Sequence, residues 1–132
     1  MERVNFKRGE IYLAELPTLT GTSVQGGKRP VVIVQNDKGN MYSPVITALP
    51  ITSQTKRDMP THVKIGDNEG LMKESVILGE QILTISKQNL IKKIGNCSEY
   101  KLKQVEMALL VQLGMIQPDQ RERVNSLNYA IA

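Results

Sequence analysis

One cysteine, Cys97, stands among 132 residues, so no intrachain disulfide can form and a reducing compartment fits. Cys97 itself reads as a small filler at a strand end rather than as a nucleophile. Tryptophan is absent, and four tyrosines with one phenylalanine hold aromatic content to 4%. A broad stacking platform is therefore excluded. The single histidine, His62, rules out a two-histidine acid–base pair. Serine–histidine catalysis would also have to use His62, and nothing around it resembles a nucleophile elbow. Paired Cys-x-x-Cys, His-x-x-x-His and tight Asp-x-Asp groups are missing, and carboxylates such as Asp37, Asp58, Asp67 and Glu80 are scattered over loops and strand ends. No metal and no cofactor is expected. A phosphate-cradling Gly-x-x-x-x-Gly-Lys-Ser/Thr loop is also missing, which argues against a nucleoside triphosphatase. No apolar run approaches the length of a bilayer span, and Met1 to Arg8 is charged rather than signal-like. The expectation is a soluble, cytoplasmic protein with no membrane partner.

What is present is an ordinary globular balance, 40% apolar and 23% charged, at a length that suits one hydrophobic core. Net charge is +4 and the pI about 9.3, so a polyanion is a reasonable partner. Short β-type runs fill the first three quarters. Glu10 to Leu16 alternates and stops at Pro17. Thr18 to Arg29 is polar and glycine-rich, and reads as a loop. Val31 to Val34 is a β-branched run that predicts a strand buried on both faces. Asp37 to Ser43 reads as a turn. Val45 to Ile51 is the next strand, with Pro50 arguing for an edge or a bulge. Ser53 to Pro60 is a polar loop, followed by strands at Thr61 to Ile65, Ser75 to Leu78, Gln81 to Ile85 and Ile91 to Ile94, with a turn over Gly66 to Gly70. From Ser98, a plausible N-cap, the apolar residues Leu102, Val105, Leu109, Leu113 and Ile116 recur at helical spacing, and Gly114 marks the end region. The expected fold is mainly β with a C-terminal helix, a small SH3-like barrel over residues 1–116. A polar tail over 117–132 is expected to be poorly ordered or weakly helical.

The informative stretch is Gln25-Gly26-Gly27-Lys28-Arg29-Pro30-Val31-Val32 with Gln35-Asn36-Asp37. Two glycines let the loop backbone approach a ligand, and Pro30 stiffens the strand that Arg29 enters. Arginine's planar fork suits bidentate contact with phosphate, although a surface ion pair is its ordinary use. Hydroxyls and amides follow in Ile51-Thr52-Ser53-Gln54, Pro60-Thr61-His62-Val63 and Glu80-Gln81-Ile82. Together with Gly9-Glu10-Ile11-Tyr12, these motifs resemble, in order and spacing, the MazF/PemK family of toxin endoribonucleases, from about Lys7 to about Ile116.

The resemblance implies a barrel of the PemK/CcdB type, a homodimer, and cleavage of single-stranded RNA. It also implies a cognate antitoxin whose acidic, extended segment blocks the RNA groove. The family's catalytic arginine and threonine fall on Arg29 and Thr52. Asn36, Asn40, Gln54, His62, Glu80 and Gln81 match positions that line the groove, and Gln25, Lys28 and Ser53 are further candidates for RNA contact. Val24 stands where relatives usually carry Glu, and Leu83 where many carry Arg. The first departure leaves the general base unassigned. His62 reads either as a base-contacting group beside the groove or as a structural histidine. Tyr12 and Tyr42 could stack on bases or simply pack. Lys28, Lys56 and Arg57 would frame the groove and steer RNA. A non-catalytic RNA-binding barrel is the alternative reading, but it does not explain Arg29 and Thr52 together. Toxins of the same fold that poison gyrase look to C-terminal tryptophans, which this chain lacks.

Overall fold

The computed structural model describes residues 5–54 and 57–121. Seven strands run through it: β1 (Glu10–Leu16), β2 (Gly27–Ile33), β3 (Val45–Thr52), β4 (His62–Ile65), β5 (Ser75–Leu78), β6 (Leu83–Ser86) and β7 (Leu90–Asn96). A short helix α1 (Asp37–Tyr42) links β2 to β3, and α2 (Glu99–Gln112) follows β7. The sheet order is β4-β5-β3-β2-β1-β7, with β6 also paired to β3. Among the described residues β4 and β7 do not pair, so the sheet is not a closed barrel. The expected class stands, and the closure does not.

Alternation explains the two cores. Val32 joins Ile11, Leu49, Ile51, Val63 and Ile77 on the face that α2 covers with Val105 and Ala108. Val31 and Ile33 join Tyr12, Ala14, Ile46 and Ile85 on the other face. A fully buried Val or Ile is worth about 1.5–3 kcal/mol over an exposed one, so the run at Val31–Ile33 pins β2 from both sides. Val31 to Ile33 are buried on both faces as the sequence predicts, whereas Val34 lies past the end of β2 and is half-buried.

Several boundaries differ from the local reading. Gly27, Lys28 and Arg29 are strand rather than loop, because they pair with Leu16, Glu15 and Ala14 of β1. The expected turn after Asn36 is α1, capped by the Asn36 side chain, which accepts the Gly39 N–H at 2.8 Å. In α2 the Ser98 cap is as expected, its hydroxyl accepting the Lys101 N–H at 3.1 Å. The buried face of α2 is carried by Val105, Met107 and Ala108, whereas Leu113 is 61% exposed at the cap. Gly114 (φ 73°) then ends the helix with paired bonds, its own N–H to Val111 O and that of Met115 to Leu110 O. No helix among the described residues is long and apolar enough to cross a membrane.

Pro50 has the most consequential placement. It lies in a central strand, not an edge, and pairs with Val31 of β2. On its other side, β6 pairs with β3 only as far as Ala48 and β5 only from Ile51. Leu49 and Pro50 therefore face the five residues from Leu78 to Ile82. A proline has no N–H to offer a ladder. The opposite chain bows out in an arch here, and the arch carries Glu80 and Gln81.

Candidate functional site

Arg29 lies on β2 and Thr52 ends β3. The β2–β3 ladder ends at the pair Val31–Pro50, and Arg29 and Thr52 each lie two residues past it, Thr52 being paired instead with Val76 of β5. Alternation from Val31 and Ala48, both in the second core, turns the two side chains to the face away from α2. Arg29 is half-buried, and its Nε donates to Gly26 O at 2.8 Å. Among the described residues no carboxylate forms an ion pair with it. Its terminal nitrogens thus point to no protein anion, and the surface ion pair is not what Arg29 does. Thr52 is only 1% exposed, and its hydroxyl oxygen accepts the Gln54 N–H at 3.2 Å. The hydroxyl proton is left to be donated.

Three groups of expected site residues sort by position. Ser53 and Gln54 follow Thr52, are exposed, and border a cavity of about 610 Å³ with Asp58, Lys64, Glu74 and Lys101 on its walls. Lys28 and Arg57 are exposed as well. Lys56 lies outside the described residues. Gln25 and Gln81 meet across the β1–β2 loop: Gln81 Oε1 accepts the Gln25 N–H at 2.9 Å, and Gln81 Nε2 donates to Ser23 O at 3.0 Å. His62 and Glu80 form the third group. His62 Nε2 lies 3.0 Å from Glu80 Oε2, while Thr61 Oγ1 donates to Glu80 Oε1 at 3.0 Å. The His62 side chain is 8% exposed and offers little surface to a base.

The Asn36–Asn40 group sits elsewhere. α1 joins the far ends of β2 and β3, and the seven-residue step from Val45 to Thr52 spans roughly 23 Å of strand. The motif Gln35-Asn36-Asp37 is occupied with structure. Gln35 Oε1 accepts the Thr47 N–H at 2.8 Å, Asn36 caps α1, and Asp37 accepts the Arg8 N–H at 2.8 Å. That backbone bond, with help from the Asn40 amide, holds the Asp37 carboxyl below its ordinary pKa. Asn40 is 1% exposed and donates to Gln35 O and Asp37 Oδ1. It nonetheless borders a second cavity with Tyr42, Lys87 and Lys92, and its Oδ1 has no partner among the described residues. Tyr12 is core, packed edge-on against Phe6, and Tyr42 is exposed on α1, remote from Arg29. Of the departures, Leu83 packs against the second core and Val24 is half-buried.

Sequence reasoning passed over three contributors. Thr61 and Gly26 lay inside quoted motifs; the partner of Thr61, Glu80, is 19 residues away, whereas Gly26 O serves Arg29 only three residues on. Arg121 stood in the polar tail, and its guanidinium donates to the carbonyls of Pro60 and His62. Residues 122–132 of that tail lie outside the described ones. Among the described residues no three His, Cys, Asp or Glu side chains are placed to hold a metal ion.

A family model described as the PemK-like, MazF-like toxin of type II toxin–antitoxin system matches residues 7–113. The chain belongs to the PemK/MazF toxin family. An endoribonuclease MazF of Staphylococcus saprophyticus is 47% identical over 111 residues, covering 83% of this PemK/MazF chain and 92% of that protein. A solved structure described as an endoribonuclease in complex with its cognate antitoxin, from a mycobacterial species, is 26% identical. It matches with a TM-score of 0.70 over 85% of this chain and 98% of that one. A crystal structure of MazF from Deinococcus radiodurans, at 21% identity, reaches a TM-score of 0.74 over 86% and 100% of the two chains, and shows the PemK/MazF fold alone.

Proposed function

We propose that this PemK/MazF chain is the toxin of a toxin–antitoxin pair, a sequence-specific endoribonuclease that cuts single-stranded RNA in the cytoplasm without a metal. The observation that carries the reading is Arg29, held by Nε, free at its terminal nitrogens among the described residues, and placed like Thr52 two residues past the Val31–Pro50 pair. The 47% identical relative named an endoribonuclease supports it.

RNA brings its own nucleophile. The 2′-oxygen bonds to the adjacent phosphorus, the bond from phosphorus to the 5′-oxygen breaks, and the products are a 2′,3′-cyclic phosphate and a 5′-hydroxyl. Arg29 meets the charge that develops on the phosphorane oxygens, where one oriented donor is worth roughly 2.7–4 kcal/mol. Thr52 supplies a further hydrogen bond. At 1% exposure it can do so only if RNA entry uncovers it, a requirement of this mechanism. The 2′-proton leaves to water or to the loop backbone, since a guanidinium stays protonated in proteins and is a poor base, and the departing 5′-oxygen takes its proton from water. Ser53, Gln54, Lys28 and Arg57 form the rim that RNA crosses, and Asn36 would reach it only from another direction.

A homodimer and an inhibitor belong to the same reading. The antitoxin's acidic, extended segment competes with RNA for the basic rim, and apolar anchors give it affinity that charge alone does not. The solved toxin–antitoxin complex of a 26% identical relative supports this. The test is cleavage of single-stranded RNA in excess EDTA, with an Arg29→Ala preparation made in parallel as the blank. Persistent cleavage with a cyclic-phosphate end is expected. Loss on chelation with rescue by magnesium would overturn the metal-free route.

A further inference from the structure

The backbone that holds Arg29 is itself held from two directions. Gly26, whose carbonyl takes the Arg29 Nε–H, sits at the neck of the β1–β2 loop. A Cβ there would lie 2.9 Å from Thr18 Cα and 3.1 Å from Pro17 O, so the two ends of the loop touch backbone to backbone. From the other side comes the arch opposite Pro50. Its Gln81 accepts from Gln25 N and donates to Ser23 O, at 2.9 and 3.0 Å. In extended backbone the C=O of one residue and the N–H two residues on point the same way. The Gln81 amide therefore serves as a stand-in for a neighbouring strand. It fixes the Ser23–Val24 and Val24–Gln25 peptides, two peptide units before the Gly26 carbonyl.

We infer that Gln81 is a positioning residue for Arg29: it clamps the Ser23–Gln25 backbone so that the Gly26 carbonyl aims the guanidinium. The family resemblance implies instead that Gln81 faces RNA, but both ends of its amide are committed within the chain. Pro50 is part of the same device, because the break it makes in the ladder lets the arch reach the loop. Glutamine fits the task in a way its relatives do not. Glutamate keeps an acceptor for Gln25 N–H but turns a negative charge toward the Ser23 carbonyl. Alanine has neither group.

The inference rests on the reading of Arg29 as the phosphate-stabilising residue, and two readouts separate the two ideas. Single-turnover cleavage at saturating RNA is measured for Gln81→Ala, Gln81→Glu, Arg29→Ala and the double variant Gln81→Ala/Arg29→Ala. Hydrogen exchange at Arg29 Nε–H and Gln25 N–H is followed by NMR on the RNA-free protein. Gln81→Ala is expected to slow the chemical step about tenfold or more, as a small misplacement of a reacting group does. RNA affinity should stay within about twofold, and the double variant should be no slower than Arg29→Ala alone. Exchange should quicken at both N–H groups, with Gln81→Glu between the extremes. Should Gln81→Ala fail to fold, Gln81→Glu carries the same comparison. Unchanged exchange at Arg29 Nε–H overturns the inference. So does a variant that binds RNA weakly, or cuts at a new sequence, at an undiminished rate, since Gln81 then reads RNA. If the wild-type protein cuts no RNA, the ribonuclease reading fails, while the exchange data still decide whether Gln81 holds Arg29.

Discussion

Arg29 and His62 are the two side chains a chemist would pick first, and the fold treats them in opposite ways. Arg29 spends one donor, Nε, on Gly26 O and keeps the rest of its fork uncommitted. His62 is nearly covered, its Nε2 engaged by Glu80, whose second oxygen is engaged by Thr61. One group is anchored at its root and free at its tip. The other is tied at its tip. The contrast teaches that residue type nominates a site, and uncommitted polar atoms on a shared face qualify it. By that measure the proposed chemistry rests on Arg29 with Thr52, while His62 and Glu80 are committed to each other and to Thr61.

The largest expected effect follows at once. Arg29→Ala and Thr52→Val should each lower the single-turnover rate by about 10²-fold or more, the usual loss for one oriented donor. Thermal unfolding should move little for Arg29→Ala. Arg29→Lys keeps the charge without the fork, so it should recover only part of the rate. Full activity in Thr52→Val would break the pairing and leave Arg29 to act without it.

Glu80→Ala tests the other half. It strips His62 and the buried Thr61 hydroxyl of their acceptor, which should cost about 1–3 kcal/mol, toward the lower end because water reaches a side chain 24% exposed. Denaturant unfolding measures this, and turnover per folded molecule should fall far less than in Arg29→Ala. If Glu80→Ala instead stops the chemical step in a protein of unchanged stability, the histidine–glutamate pair is in the reaction and the contrast collapses.

How much of this was legible in the sequence depends on how far apart the determinants lie. β1 and β5 were readable to the residue, because alternation and stop signals are local. So was the Ser98 cap. The short α1 carries no apolar period and contains Gly39, so it read as a turn. Gly27 to Arg29 read as loop because their strand character comes from β1, not from their own side chains. Pro50 reads as an edge or a bulge; the edge fails, and the gap that tolerates it is made by two strands far along the chain. Arg29 and Thr52 could be named from the family pattern, but only the β2–β3 pairing that ends at Val31 and Pro50 brings their strands side by side. Asn40 matched the same pattern and proved buried, a fact of packing that no spacing carries. The clasp of Gln81 on Gln25 joins residues 56 apart, beyond the reach of any periodicity.

A third, smaller effect separates framework from chemistry on the helix. Ser98→Ala removes the acceptor for the Lys101 N–H and should cost about 1 kcal/mol. Because α2 covers the face away from Arg29, the rate per folded molecule should be unchanged. A rate loss beyond the loss of folded protein would mean that α2 governs the site.

Cys97 extends the contrast to a nucleophile and gives the smallest effect at neutral pH. It packs against the core beneath α2, where burial, with the nearby Glu69 charge assisting, pushes its thiol pKa up from 9.0 to about 12. The folded protein thus holds a proton that the unfolded chain gives up first. Below about pH 9 both states keep it, and Cys97 adds nothing to the pH dependence. Between about pH 9 and 12 the unfolded chain ionises while the folded one does not, so stability must fall as pH rises through that window. Other groups titrate there too, which makes the informative quantity the difference in slope from Cys97→Ala. Removing the thiol should shift stability by a constant at pH 7 and flatten its decline above pH 9, measured by urea unfolding at several pH values. Native protein should also react with a thiol reagent at neutral pH far more slowly than unfolded protein. Equal rates, or parallel slopes in the two proteins, would mean that the thiol is open to solvent, and Cys97 would join Arg29 among the uncommitted groups.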